Sequence, residues 1–99
     1  MHSEADIRRV HDDEGNLIGH AEYQNGKLHG TCKLWAANGT LVEHSNFEEG
    51  ERHGLYQTWW ANGKAKEKGT YFRGAKYGKY QWYDEGGSLV QEHDYGQGT

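Results

Sequence analysis

The chain of 99 residues has no proline, a single cysteine, no excess of basic residues and no long apolar run. One cysteine cannot form an internal disulfide, and Cys32 is expected to act as a small apolar filler. A formal net charge of −4 argues against a nucleic-acid partner and against simple electrostatic attachment to anionic lipid. No apolar stretch approaches the roughly 18 residues of a membrane-spanning helix. The acidic start, Met1–Asp6, is unlike a signal peptide, so we expect a reducing, cytoplasmic location.

The apolar residues that are present are concentrated in large rings. Aromatic residues make up 13% of the chain, whereas all hydrophobic residues make up only 33%, below the roughly 45–50% of ordinary globular domains. Disordered chains are poor in aromatic residues, so we expect this chain to fold. Its length fits one domain, and its composition favours a thin sheet over a thick two-layer core.

Glycine and aromatic residues recur at a period of 24 residues. The columns are Tyr23, Phe47 and Tyr71; Gly26, Gly50 and Gly74; Gly30, Gly54 and Gly78; Trp35, Trp59 and Tyr83; and Gly39, Gly63 and Gly87. Independent columns at one period identify a repeat protein. Within one domain, residues 1–99, we place an N-terminal cap at 1–14, repeats at about 15–38, 39–62 and 63–86, and a partial repeat at 87–99.

Turn signals of the form X-Gly recur at alternating spacings and predict β-hairpins. Asn-Gly, as at 25–26, 38–39 and 62–63, favours a two-residue type I′ turn, whereas Glu49 and Arg73 are poorer at that position. The intervening segments predict strands over 16–24, 27–37, 40–48, 51–61, 64–72, 75–85 and 88–96, with a weaker strand at 7–11. The predicted fold is all-β, an antiparallel hairpin meander of about seven to eight strands.

Two-residue turns throughout would set the register of the sheet. They would pair Ala21 with Gly30, Ser45 with Gly54, Gly69 with Gly78, Trp35 with Val42, Tyr83 with Val90, and Ala65 with both Trp60 and Trp82. The resulting row of small residues predicts a crease, because glycine within a strand marks a bend or a close backbone approach. We therefore expect a single-layer curved trough.

Large rings would line the inner face of this trough. They are Phe47, Tyr56, Trp60, Tyr71, Tyr80 and Trp82, and we predict that they bind a partner, since Trp and Tyr are enriched at interface hot spots. The alternative is that these rings only fill a shallow core. On the outer face, Lys64, Lys66 and Lys68 form either a docking stripe for an acidic partner or a solvated strand surface.

Metal binding and catalysis find little support in the residue spacing. The equivalent histidines His29 and His53 should stand about 9–10 Å apart, two strands away from each other, too far to share one zinc ion. Glu43 and Glu67 have a similar separation, which would suit an inverting glycosidase on distance alone. Repeat periodicity explains that separation without any catalytic demand. We predict no enzyme activity, no metal and no cofactor.

The residues of these columns resemble the MORN repeat (membrane occupation and recognition nexus). The pattern is aromatic-x-x-Gly-x-x-x-Gly, an aromatic residue five positions on, and a glycine four later. It reads Tyr23, Gly26, Gly30, Trp35, Gly39; then Phe47, Gly50, Gly54, Trp59, Gly63; then Tyr71, Gly74, Gly78, Tyr83, Gly87. It is most similar to the bacterial variant found in YwqK-family antitoxins, over residues 15–98. Cys32 departs from it, standing where the later repeats have Tyr56 and Tyr80.

The resemblance implies an antiparallel hairpin array with a binding or scaffold role. Our leading hypothesis is a protein-binding module, an antitoxin or immunity-type protein that masks another protein. The first alternative is a self-associating scaffold that forms a homodimer through open edge strands near residues 5–12 and 88–96. A membrane-associated module is the weakest alternative, given the acidic balance of the chain.

Overall fold

The computed structural model describes residues 5–96, which contain β-strands and no helix. The strands are β1 (Ala5–His11), β2 (Leu17–Gln24), β3 (Lys27–Trp35), β4 (Leu41–Glu48), β5 (Glu51–Arg52), β6 (Gly54–Trp59), β7 (Ala65–Phe72), β8 (Ala75–Tyr83) and β9 (Leu89–Asp94). They form one antiparallel sheet in chain order, in which the short β5 and β6 both pair with β4. The predicted all-β hairpin meander is confirmed.

The sheet is an open plate rather than the predicted curved trough. Its principal extents are 45 × 42 × 12 Å, and it does not curl. The crease was predicted from a row of paired small residues, and that pairing does not occur. The glycines of that row lie in β-bulges, so they do not bend the whole sheet along one line.

One set of bulges sits at the second glycine of the repeat. Gly30, Gly54 and Gly78 have positive φ of 108°, 102° and 67°, which glycine adopts without steric cost. In the pairing of β7 with β8, Lys68 faces Gln81 and Thr70 faces Tyr77, so residues 78–80 together oppose the single residue 69. The predicted partners of these glycines are therefore wrong. Ala21 pairs with Cys32 instead of Gly30. Ser45 faces the irregular segment between Arg52 and Gln57, and Gly69 faces residues 78–80 together, so neither has a glycine as a one-to-one partner on that side.

The turns at one end of the strands are two-residue turns. Asn25, Glu49 and Arg73 have φ near +50°, and each is followed by a glycine with positive φ, as a type I′ turn requires. The expectation that Glu49 and Arg73 would give turns of a different type was wrong. Their turns are held by the preceding hairpin, because the N–H of Gly50 donates to the carbonyl of Leu28 and that of Gly74 to Arg52, both at 2.8 Å.

The turns at the other end are longer, although two of them contain Asn-Gly. The N–H of Ala36 donates to the carbonyl of Thr40 at 2.8 Å, and the same bond joins Trp60 to Lys64. The Asn62 amide donates to the carbonyl of Glu85 at 2.9 Å, in the next turn along. The bonds from Ala36 to Thr40 and from Trp60 to Lys64 close longer turns, so the predicted two-residue turns are wrong here. The asparagine side chain instead connects one turn to the next.

The longer turns shift the register by one residue at this end of the sheet. The observed pairs are Trp35 with Leu41, Trp59 with Ala65, and Tyr83 with Leu89. Val42 and Val90 are therefore not the partners of these rings. Trp60 does not face Ala65, and Trp82 pairs with Glu67 instead.

Replacing Arg73 with asparagine should stabilise the fold by about 0.5–1 kcal/mol. At φ 50° the Cβ of Arg73 crowds the backbone, and asparagine tolerates this region better because its short polar side chain can hydrogen-bond locally. Urea unfolding followed by circular dichroism measures the difference. The control is Glu85→Asn, an exposed turn position that is not among the positive-φ residues. Equal effects of the two substitutions would contradict the explanation.

Candidate functional site

Six rings gather on one side of the sheet, and we call this side the aromatic face. Its rings are Phe47, Tyr56, Tyr71, Tyr80, Trp82 and Tyr95. Tyr80 is the centre, with ring centroids 4.7 Å from Trp82, 6.1 Å from Tyr95 and 6.2 Å from Tyr71. Tyr56 joins the cluster through Tyr71 at 5.4 Å. The structure thus brings together the predicted tyrosines and Trp82 as one contiguous surface.

Tyr80 is the structural centre of this face and is fully buried. Its ring lies against the backbone of Gly69, where an added Cβ would overlap the ring atoms. Its hydroxyl donates to Oε1 of Glu67 at 3.3 Å, and Thr58 Oγ1 donates to the other oxygen of that carboxylate at 3.1 Å. The core-filling alternative therefore describes Tyr80, whereas Phe47, Tyr56, Tyr71, Trp82 and Tyr95 keep exposed surface.

Two cations lie over these rings. The guanidinium of Arg52 is 4.9 Å from the centroid of Tyr56, with Phe47 and Tyr71 slightly farther away. The ammonium of Lys76 is 4.9 Å from the ring of Tyr80 and 5.6 Å from both Trp82 and Tyr95. Cations attract the faces of aromatic rings. These contacts hold two positive charges at the surface of the cluster.

Neither cation forms an ion pair within the part of the chain that the structure describes. Residues 5–96 supply no ion pair to Arg52 or Lys76. Nη1 of Arg52 is buried and has no hydrogen-bond partner within the same residues. A buried donor without a partner costs roughly 1–3 kcal/mol. The arrangement leaves the positive charge of both side chains without an ion-pair partner among these residues.

Burial and the neighbouring carboxylates keep the phenols protonated. Desolvation, with Glu43 and Glu67 nearby, raises the pKa of Tyr56 to about 12. The pKa of Tyr80 is raised as well, mainly by burial. Burial and Glu43 also raise the pKa of the Cys32 thiol, which removes the thiolate that a reactive cysteine needs. The face therefore presents neutral hydroxyl groups and no activated nucleophile at Cys32.

The other predicted site residues lie elsewhere. Trp60 starts the turn at 60–64, its indole N–H donates to the carbonyl of Tyr83 at 3.3 Å, and Lys66 covers its ring at 4.8 Å. Lys64 donates to the carbonyl of Gly86 at 3.2 Å. Lys68 lies within β7, opposite Gln57 and Gln81. The three exposed lysines thus have three different surroundings.

Sequence analysis missed the two cations of the aromatic face. The available signal was a further column at the same period, Leu28, Arg52 and Lys76, in which two later repeats replace an apolar residue by a cation. Each member pairs across the hairpin with an aromatic residue, as Arg52 does with Phe47 and Lys76 with Tyr71. A charge in a column that pairs with rings predicts a cation–π contact.

Within residues 5–96 no three histidine, cysteine or acidic side chains are placed to hold a metal ion. The same part of the chain contains no helix that is long and apolar enough to cross a membrane.

The flat hairpin array and its repeated glycines define a β-hairpin repeat protein. Residues 28–49, 52–72 and 76–96 match the MORN repeat variant family, which covers more than half of the chain. The chain belongs to this family, whose members are generally non-enzymatic modules that bind proteins or membranes. The matched units begin at the column of Leu28, Arg52 and Lys76. Searches of curated proteins and of solved structures each found no match.

Proposed function

We propose that this protein is a non-catalytic protein-binding module that holds one partner protein on the aromatic face. The observation that carries this proposal is the contiguous ring cluster with two cations that lack ion-pair partners within residues 5–96. Tryptophan, tyrosine and arginine are the residues most enriched at interface hot spots. Here all three types meet on one surface, around the buried ring of Tyr80.

The rigidity of the surface supports the same role. Tyr80 packs on Gly69 and donates to Glu67, so the exposed rings rest on a fixed layer. Ordered side chains lose little further entropy on binding, which favours affinity. A carboxylate of the partner would complement the positive charge that Arg52 and Lys76 hold over the rings. The partner surface that fits is therefore acidic, with apolar side chains beside the charge.

The masking role of an antitoxin or immunity-type protein follows from the shape and the resemblance of the repeats. A plate of 45 × 42 Å is larger than the roughly 800 Å² that one partner buries in a standard interface. Such a plate covers a partner's surface without enclosing a substrate. We place this action in the cytoplasm, in keeping with the single cysteine.

The test is capture of a partner from a lysate of the native host, followed by affinity measurement with the purified partner. Trp82→Ala combined with Lys76→Glu alters the aromatic face and leaves Tyr80 intact. This variant should bind at least tenfold more weakly than the wild type. Circular dichroism must show that the variant keeps its sheet.

The matched control is Lys66→Glu combined with Lys68→Glu, which changes charge away from the aromatic face. It should bind like the wild type. Loss of binding in this control alone would move the site to the lysines of β7. Equal binding by both variants would place the site away from both surfaces and reject the aromatic face.

A further inference from the structure

One row of side chains crosses the whole described sheet. From β1 to β9 its members are Arg9, His20, Lys33, His44, Gln57, Lys68, Gln81 and Glu92. Alternate members are 24 residues apart, so Arg9 stands one period before Lys33 and Glu92 one period after Lys68. The row begins with a cation on one outer strand and ends with an anion on the other.

The two outer strands of the described sheet have a free side. Every residue of β1 and of β9 is exposed. These exposed residues include apolar ones, since Val10 is 57% and Val90 62% exposed. An edge strand also presents a row of N–H and C=O groups that can pair with another strand. Both edges therefore offer hydrogen bonds and apolar surface.

We propose that a second copy of this chain occupies the edge, with β9 of one copy pairing antiparallel to β1 of the next in the register of the repeat. Within one copy, His20 pairs with Lys33 and Gly19 with Leu34. Continuing the period across the junction places Glu92 opposite Arg9 of the second copy. It places Gln91 opposite Val10 of the second copy. This proposal does not depend on what the aromatic face binds.

Charge selects this head-to-tail pairing over pairing of like edges. β1 carries Arg9 together with an Arg8 that is paired with Asp6 at 3.2 Å, whereas β9 carries Glu92 and Asp94. The Glu92 carboxylate accepts a bond from Gln81 at 2.7 Å, which orients it along the row. Opposite charges directly across a strand pair stabilise it, and like charges destabilise it. Since the two contacting surfaces differ, the pairing adds copies in a line rather than closing a dimer.

Charge reversal tests the pairing by sedimentation velocity at low ionic strength, where charge pairs are least screened. The wild type should show a mass that rises with concentration. Arg9→Glu alone and Glu92→Arg alone should each raise the dissociation constant at least threefold. An equimolar mixture of the two variants should restore the wild-type behaviour, because each then presents the opposite charge to the other. Glu85→Arg, an exposed turn substitution, is the control and should have no effect.

The outcomes separate this pairing from its rivals. A wild type that stays monomeric at millimolar concentration overturns the proposal. Sensitivity to Glu92→Arg without sensitivity to Arg9→Glu would indicate pairing of β9 with itself, and also overturns it. So does a mixture that fails to restore association.

Cross-linking tests the register directly in chains that carry Cys32→Ala. One chain carries Val10→Cys and the other Gln91→Cys, and oxidation should join them. Directly opposed residues have Cα atoms about 4.5–5.5 Å apart, within the range that a disulfide spans. A chain with Ile7→Cys in place of Val10→Cys is out of register and should join at least fivefold less. Equal yields would overturn the proposed register.

Discussion

Replacing Gly69 with alanine is expected to lower the free energy of unfolding by about 3 kcal/mol. A Cβ at this position would overlap the ring of Tyr80. That ring has no room to retreat, because it is fully buried and contacts Trp82, Tyr71 and Tyr95. The substitution must therefore push Tyr80 out of its place or separate β7 from β8. Urea unfolding measured by tryptophan fluorescence reports the loss.

The matched control is Gly86→Ala, in the turn between β8 and β9. Gly86 lacks a positive φ, and a Cβ there would meet only the side chain of Asp84 at 3.4 Å. Its effect should stay within about 0.5 kcal/mol. A similar loss for both substitutions would indicate a general cost of removing glycine rather than the overlap with Tyr80.

A double-mutant cycle isolates the contact between Gly69 and Tyr80. Tyr80→Ala alone should cost about 3–5 kcal/mol, as expected for a large buried ring. In the double variant the ring is gone and the added methyl group fills part of the cavity. The double variant should therefore be more stable than the sum of the single losses predicts. Strict additivity would mean that the two residues do not interact.

The repeat period was sufficient to predict the hairpin array, because the glycines of each column adopt the same backbone conformation. The positive φ of Gly50 and Gly74 follows from their two-residue turns, and such turns were expected from the spacing. The same glycine signal failed at residues 38–39 and 62–63. There the asparagine side chain bonds to the neighbouring turn, a contact between repeats that no local pattern reveals.

Four of the rings that were expected to share one face of the sheet do so, although the register used to place them was wrong. Tyr56, Tyr71, Tyr80 and Trp82 cluster although the two-residue register assumed for them is wrong. The bulges at the second glycine of the repeat add two residues to one strand of the pair, as in the step from Thr70 with Tyr77 to Lys68 with Gln81. An even shift preserves which face a side chain occupies. Trp60 is not in the cluster, because it lies in a turn where strand alternation no longer holds.

Raising the pH from 10 to 12 is expected to remove about 1–2 kcal/mol of stability through Tyr56, after allowance for its partial exposure. Burial raises the pKa of Tyr56 in the fold to about 12, from the ordinary value of 10.0. Below pH 10 both states keep the proton, so the contribution is complete. Above pH 10 the unfolded chain loses its proton first, and stability falls until the folded state also ionises. Tyr80, whose pKa is raised in the same direction, should steepen the fall.

The measurement is the urea midpoint at several values of pH, for the wild type and for Tyr56→Phe. Phenylalanine cannot ionise, so the variant should lose less stability than the wild type over this range. Tyr83→Phe, whose ring is not part of the aromatic face, reports the effect of losing any one phenol. If Tyr56→Phe keeps the full pH dependence of the wild type, the loss of stability does not come from ionisation of Tyr56. A shallower dependence would show that the fold disfavours the phenolate of Tyr56, through burial and through the negative charges of Glu43 and Glu67.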